Sequence, residues 1–151
     1  ARAGVEAAGN LFHHCTFTGG EYGIKTNRTA PGWPFLLIDS SFSGQRQAAI
    51  LTDEAGMTIV RGQFRDVPRV IEVPADRCEQ LWVRDSLFER ISGPAITLSD
   101  VKNARTQANL QNVICRDVPL LLSLRETNEN VRGLGSSFVV RDLIHGLQSN
   151  N

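Results

Sequence analysis

The chain has 151 residues, of which 41% are hydrophobic, and this is enough for one domain with a continuous core. Its 16 basic and 16 acidic residues cancel, which argues against nucleic acid as a partner. No apolar run is long enough to predict a membrane span. We therefore expect a single domain over residues 1–151, without nucleic-acid or membrane partners. We also expect this domain to be a piece of a longer chain.

A large apolar residue returns every 22 to 27 residues, which indicates a repeat architecture. In chain order the series is Phe17, Phe42, Phe64, Phe88, Cys115 and Phe138. Five residues earlier in each period lies a second position, occupied by Phe12, Leu37, Ile59, Val83, Leu110 and, weakly, Gly133. About seven residues later lies a third position, occupied by Ile24, Ile50, Ile71, Ile96, Leu122 and Ile144.

These apolar runs are short, rich in β-branched or aromatic residues, and interrupted by Gly, Pro, Asn or Asp, which predicts strands rather than helices. Each period would form a coil that pairs in parallel with the next coil about 4.8 Å away. The sequence thus predicts an all-β fold, a parallel β-helix of about six coils with 22–27 residues per coil. Leucine-rich repeats, propeller blades and a β-sandwich fit the spacing less well.

Stacked coils place like residues over one another, so the phenylalanines should form one internal ladder. Cys115 would interrupt this ladder as a small apolar substitute. Cys15 also lies at a repeat position and is expected to be a free core thiol, whereas Cys78 lies in a turn. Three cysteines without a CxxC spacing predict neither a disulfide framework nor a metal site.

The phrases LFHHCTFTGGEYGIKTN, LIDSSFSGQRQAAILTD and WVRDSLFERISGPAITL resemble the repeat of the pectate-lyase-like superfamily of right-handed parallel β-helices. That superfamily includes polysaccharide lyases, polygalacturonases and phage tailspikes. The resemblance covers residues 9–147 and implies a right-handed coil and a polysaccharide partner. It also implies a stacked asparagine ladder, for which this chain offers a degenerate column, namely His14, Asp39, Arg61, Asp85, Asn112 and Gly135.

Polygalacturonases carry a paired aspartate in a phrase similar to Gly20 to Lys25, where this chain has a single carboxylate, Glu21. A hydrolase would need two carboxylates, one as acid and one to activate water. Lyases of the superfamily instead use a basic residue as proton acceptor and acidic residues that hold calcium. The resemblance then makes Glu21 and Lys25 candidate catalytic residues, Arg46 and Arg69 candidate substrate-binding residues, and calcium the candidate cofactor. Solvated, salt-bridged strand ends explain the same residues without function.

A second acidic column follows the third strand of each coil, with one acid per coil. Its members are Asp53, Asp76, Asp100 and Glu126. Stacked carboxylates about 5 Å apart would suit catalysis or calcium, which adds Asp53 to the catalytic candidates. The preference of Asp for tight turns explains the column equally.

The longest excursions between strands span residues 28–34 and 100–106, and insertions in solenoids often gather on the binding face. Trp33 is therefore a candidate sugar-stacking platform, or a cap on the first coil, whereas Trp82 is expected in the core or in a packing surface. His13 and His14 should point to opposite sides of a strand, so no shared metal site is expected. His14 then faces solvent or a groove, as a candidate substrate-binding residue or a plain surface histidine.

Together these observations predict a β-helix module of an exported carbohydrate-active protein, either a hydrolase or a lyase. Its expected location is extracellular or at the cell surface, or else periplasmic. The alternative is a non-catalytic glycan-binding, adhesion or structural segment of a larger surface or tail protein. The open ends of the solenoid would contact the rest of a longer chain or another copy.

Overall fold

The computed structural model describes residues 10–26, 35–52, 56–73, 80–99, 107–125, 137–141 and 144–146, and all regular structure in these ranges is β-strand. The first strands are β1 (Asn10–His13), β2 (Thr16–Thr18), β3 (Tyr22–Lys25), β4 (Phe35–Ile38), β5 (Ser41–Ser43) and β6 (Ala48–Leu51). They are followed by β7 (Gly56–Val60), β8 (Gln63–Val67), β9 (Ile71–Val73), β10 (Gln80–Ile91) and β11 (Pro94–Ser99). The last are β12 (Gln107–Arg116), β13 (Leu120–Arg125), β14 (Ser137–Arg141) and β15 (Ile144–Gly146). Within the described ranges no helix has the length and hydropathy of a membrane span.

The strands form two parallel sheets, and the chain passes from one sheet to the other in every coil. The larger sheet has ten strands, in which β1, β4 and β7 lead to the first half of β10, and β2, β5 and β8 to its second half. The smaller sheet has five strands in the order β13, β11, β9, β6 and β3. This arrangement confirms the predicted parallel β-solenoid. From β1 to β12 the chain makes about four turns, fewer than the six coils predicted.

The predicted phenylalanine ladder lies in the core, because strand register places each ring over the next. The rings of Phe17 and Phe42 stack with centroids 4.5 Å apart, and those of Phe42 and Phe64 stack at 5.0 Å. The ring of Phe64 meets that of Phe88 edge to face at 5.5 Å. Cys115 pairs with Phe88 and is buried, as predicted, and burial raises the pKa of its thiol to about 11.

Two further columns of aliphatic residues complete the core, and both were predicted from the repeat. One runs through Leu37, Ile59, Val83 and Leu110 in the larger sheet. The other runs through Ile24, Ile50, Ile71 and Ile96 in the smaller sheet. An inward residue lies over its equivalents in adjacent coils, so these columns are aliphatic apart from Phe12, which pairs with Leu37.

Sharp corners between the strands are made by residues with positive φ. The first corner column consists of His14, Asp39, Arg61, Asp85 and Asn112, with φ between 50° and 53°. The second corner column consists of Gly19, Gly44, Asp66, Arg90 and Asp117, with φ between 52° and 69°. A single residue in the left-handed region turns the chain between two strands, and it does so at the same point of each successive coil. β10 continues through both corners, whereas β12 continues only through the first corner and β8 only through the second.

Buried serines stabilise the first corner from the inside. The hydroxyl of Ser40 accepts a hydrogen bond from the backbone N–H of Cys15 and donates one to the carbonyl of Ile38. Ser86 repeats this pattern two coils later, where its hydroxyl accepts from the N–H of Gly62. Both serines are almost fully buried, so they satisfy backbone groups that the corner withdraws from water.

The last coil differs from the prediction. Phe138 pairs with Ala108 and Val140 with Leu110, whereas the position paired with Cys115 is His145. The prediction that Phe138 follows Cys115 in the ladder is therefore wrong, as is the assignment of Ile144 to the third strand, since Ile144 pairs with Ile114 in the larger sheet. The connection before this coil is longer than the repeat average, which shifts the register by seven residues. Gly133 and Gly135 lie outside the described residues.

Candidate functional site

Several of the predicted site residues lie near Tyr22, at the smaller sheet. The ammonium group of Lys25 lies 5.7 Å from the centre of the Tyr22 ring, and the Tyr22 hydroxyl donates a hydrogen bond to Gln47 in the next coil. Arg69 forms an ion pair with Glu72 at 3.7 Å. Lys25 thus contacts Tyr22 and Arg69 contacts Glu72, so each of these two predicted residues already has a partner.

The electrostatics of this patch centre on Tyr22. Partial burial and the negative charges of Glu72 and Glu21 raise the pKa of its hydroxyl, against the opposing effect of Arg69. Glu21 and Arg46 lie at the corner that precedes β3 and β6, where their backbone groups hold adjacent coils together. The carbonyl of Glu21 accepts the N–H of Gln47, and the N–H of Arg46 donates to Gly20.

Two predicted site residues, Asp53 and Trp33, lie outside the described residues, and so do Cys78, Asp76, Asp100 and Glu126. The predicted acidic column therefore stays a prediction. The remaining candidate, His14, lies at the first corner and is exposed to solvent, as expected.

The imidazoles of His13 and His14 do not point to opposite sides, and this prediction is wrong. Their ring centroids are only 3.9 Å apart. The alternation of side chains holds along extended backbone, but His14 has a φ of 53° and leaves the strand at that point. Asp39 of the next coil lies beside them, with a carboxylate oxygen 3.5 Å from His13 Nε2.

The first corner column carries a ladder of alternating charge. The guanidinium of Arg61 donates two hydrogen bonds to the carboxylate of Asp39, one of them at 2.7 Å. Further along, the amide of Asn112 donates to Asp85 at 2.7 Å. The second corner column repeats the theme, because Arg90 donates two hydrogen bonds to Asp66, at 2.7 and 2.9 Å.

These ion pairs decide what the carboxylates can do. The hydrogen bonds from Arg61 lower the pKa of Asp39 to about 2, and those from Arg90 lower the pKa of Asp66. A general acid in glycoside hydrolysis needs a raised pKa, so these two carboxylates do not suit that role.

The indole of Trp82 lies on the outside of the larger sheet and is exposed. The sequence had led us to expect it in the core or in a packing surface. Trp82 is 39% exposed, and register places it between Thr58 and Asn109 of the adjacent coils. Gln80 and Arg84, two positions away along β10, lie on the same outer face and are also exposed. The signal was present in the sequence, since an inward Val83 requires an outward Trp82.

The described chain is therefore an all-β parallel β-solenoid with a polar patch around Tyr22, two charged corner columns and an aromatic outer face around Trp82. Comparison with models of protein families, with curated proteins and with solved structures gives no significant match.

Proposed function

We propose that this chain is a polysaccharide-binding β-solenoid module of an exported carbohydrate-active protein. The observation that carries the proposal is the outward indole of Trp82, which has the hydroxyl side chain of Thr58 on one adjacent coil and the amide side chain of Asn109 on the other. A flat apolar ring can stack on the C–H face of a pyranose. Neighbouring polar groups can accept and donate hydrogen bonds to its hydroxyls.

The shape of the solenoid supports an extended ligand rather than a small one. Polar side chains lie on the outer face of the larger sheet in the coil of Trp82 and in both adjacent coils, which are about 4.8 Å apart. The polar residues around the indole are Thr58 and Asn109 on the adjacent coils, and Gln80 and Arg84 on its own strand. A polymer of sugar units can follow such a row, whereas a single sugar would use only a part of it.

The resemblance to pectate-lyase-like repeats supports a carbohydrate as the ligand, and it implies a right-handed coil and an exported protein. Under this proposal the parent protein is a lyase or a hydrolase that acts at the cell surface, in the periplasm or outside the cell. Glu21, Lys25 and Asp53 are its candidate catalytic residues, Trp33, Arg46, Arg69 and His14 its other candidate contacts, and calcium its candidate cofactor.

A non-catalytic adhesion or structural module is the second candidate. It is favoured by the ion pairs that engage Asp39 and Asp66 with arginines of the next coil. Carboxylates held in this way stabilise the coil stack and are poorly suited to proton transfer.

Binding of a panel of neutral and acidic polysaccharides, measured by affinity electrophoresis and calorimetry, tests the proposal. Trp82→Ala should weaken binding about tenfold or more, which corresponds to about 1.4 kcal/mol. Leu120→Ala is the control, because Leu120 is an exposed apolar residue of β13 in the smaller sheet and lies off the row of Trp82. In a Trp33→Phe background Trp82 is the sole indole, so its fluorescence should change on binding.

Equal affinities of the wild type and Trp82→Ala for every polysaccharide in the panel would contradict the proposed binding face. Mass analysis of the products separates the two candidate functions. Unsaturated or hydrolysed oligosaccharides that disappear in Lys25→Met or Glu21→Gln would favour the enzyme, and binding without cleavage would favour the adhesion module.

A further inference from the structure

Two histidines and one aspartate converge at the first corner of the solenoid. His13 ends β1, His14 makes the corner, and Asp39 makes the same corner one coil further on. The side-chain ligand atoms of the three residues all lie within 4.8 Å of one another. The backbone fixes this arrangement, because the N–H of His14 donates to Ile38 and that of Asp39 to Val60, both at 3.1 Å.

The distances suit a small tetrahedral ion. Bonds of about 2.0–2.2 Å from zinc to nitrogen or oxygen place two ligand atoms of a tetrahedron about 3.4 Å apart. His13 Nε2 and Asp39 Oδ2 are already 3.5 Å apart. The ligand atom of His14 lies within 4.8 Å of the other two, and a change of its exposed side-chain rotamer would have to close the remaining distance.

The chemistry of the three side chains selects the kind of ion. Imidazole nitrogens favour zinc, copper and nickel, whereas calcium and magnesium require oxygen ligands. Three protein ligands leave a fourth position for water or another molecule. His13 is half exposed, so solvent can reach the cluster.

Arg61 has two opposing effects on such a site. Its two hydrogen bonds fix the orientation of the Asp39 carboxylate, as outer-shell partners of metal ligands do, and they leave one lone pair on each oxygen. Its positive charge repels a cation, which lowers the affinity without removing a ligand.

We propose that His13, His14 and Asp39 form a binding site for one divalent transition-metal ion of the zinc type. The site joins the first two described coils of the solenoid, since β1 carries one imidazole, the first corner the second, and the corner after β4 the carboxylate. It lies in the first two described coils, whereas Trp82 lies in β10, and it shares His14 with the candidate polysaccharide contacts, so zinc is titrated in the absence of polysaccharide.

Calorimetric titration of the full chain with zinc chloride tests this site, with calcium chloride as the comparison ion. The wild type should bind one zinc ion at this site, and an excess of calcium should leave that zinc binding unchanged. His13→Gln and His14→Asn should each weaken zinc binding at least tenfold. Asparagine tolerates positive φ, so His14→Asn removes the imidazole while it preserves the corner.

Asp85→Asn is the matched control, because Asp85 occupies the same corner two coils beyond Asp39 and lies outside the cluster. Zinc affinity should stay unchanged in this variant. Zinc should also raise the melting temperature of the wild type and of Asp85→Asn, but not that of the histidine variants. The proposal would be overturned if the wild type did not bind zinc, or if both histidine variants bound zinc as tightly as the wild type does.

Discussion

At the scale of single residues, the inward side chains were predictable, whereas the directions of the side chains at the corners were not. Phe64 lies between Phe42 and Phe88 because apolar residues recur at a constant point of the repeat, and the sequence shows this directly. His14 and Arg61 adopt positive φ, which neither residue prefers. The stacking of coils imposes that conformation, so a rule for extended strands misplaced the two imidazoles.

The buried ladder makes Phe64 sensitive to truncation. Phe64→Ala should lower the free energy of unfolding by about 3–5 kcal/mol, since it leaves a cavity between two rings. Phe64→Leu should cost much less because it retains most of the buried volume. Urea denaturation followed by circular dichroism measures both, with Leu11→Ala as an exposed control. A neutral effect of Phe64→Ala would contradict the internal ladder.

At the scale of elements, the period predicted which strands stack but not where each strand ends. Ile24, Ile50, Ile71 and Ile96 form the expected column in the smaller sheet. The register of β14 and β15 was misplaced by seven residues, because the length of a connection leaves no trace in the apolar pattern of the strands it joins. The outward position of Trp82 followed from strand alternation, whereas its exposure depends on what covers the sheet.

Gly62 lies close against the ring of Phe64 in the phenylalanine ladder, which predicts a second effect on stability. A Cβ atom at this position would lie 2.6 Å from the Phe64 ring and 2.8 Å from the Ile59 side chain. Gly62→Ala should therefore destabilise the protein by about 1–3 kcal/mol through overpacking. In a Phe64→Leu background the smaller side chain relieves the contact, so the same substitution should cost less. A double-mutant cycle from urea midpoints measures this coupling, and strictly additive effects would rule out the contact as the cause.

At the scale of the whole molecule, the coil stack was predictable and its electrostatic reinforcement was not. The column with Asp39, Arg61 and Asp85 could be identified as a shared corner, but it resembled a degenerate asparagine ladder. The structure shows that ion pairs replace stacked amides there, and that the second corner column pairs Asp66 with Arg90. Such pairing depends on which coil lies above which, and hence on the register of the entire solenoid.

These two ion pairs predict how the stability of the solenoid depends on pH. Arg61 lowers the pKa of Asp39 to about 2, and Arg90 lowers that of Asp66. An aspartate in the unfolded chain has a pKa of about 3.9. Because the folded-state pKa values are the lower ones, the pairs contribute stability above that pH. The contribution is lost as the pH falls towards about 2.

The double variant Asp39→Asn, Asp66→Asn isolates this effect, since asparagine tolerates positive φ and carries no charge. Its urea midpoint should lie below that of the wild type at pH 7, and the two midpoints should converge near pH 2. The difference at pH 7 should be modest and should shrink in 1 M salt, because both pairs are exposed to solvent. A gap between the midpoints that is as large at pH 2 as at pH 7 would show that the asparagines act through packing and not through the lost charges.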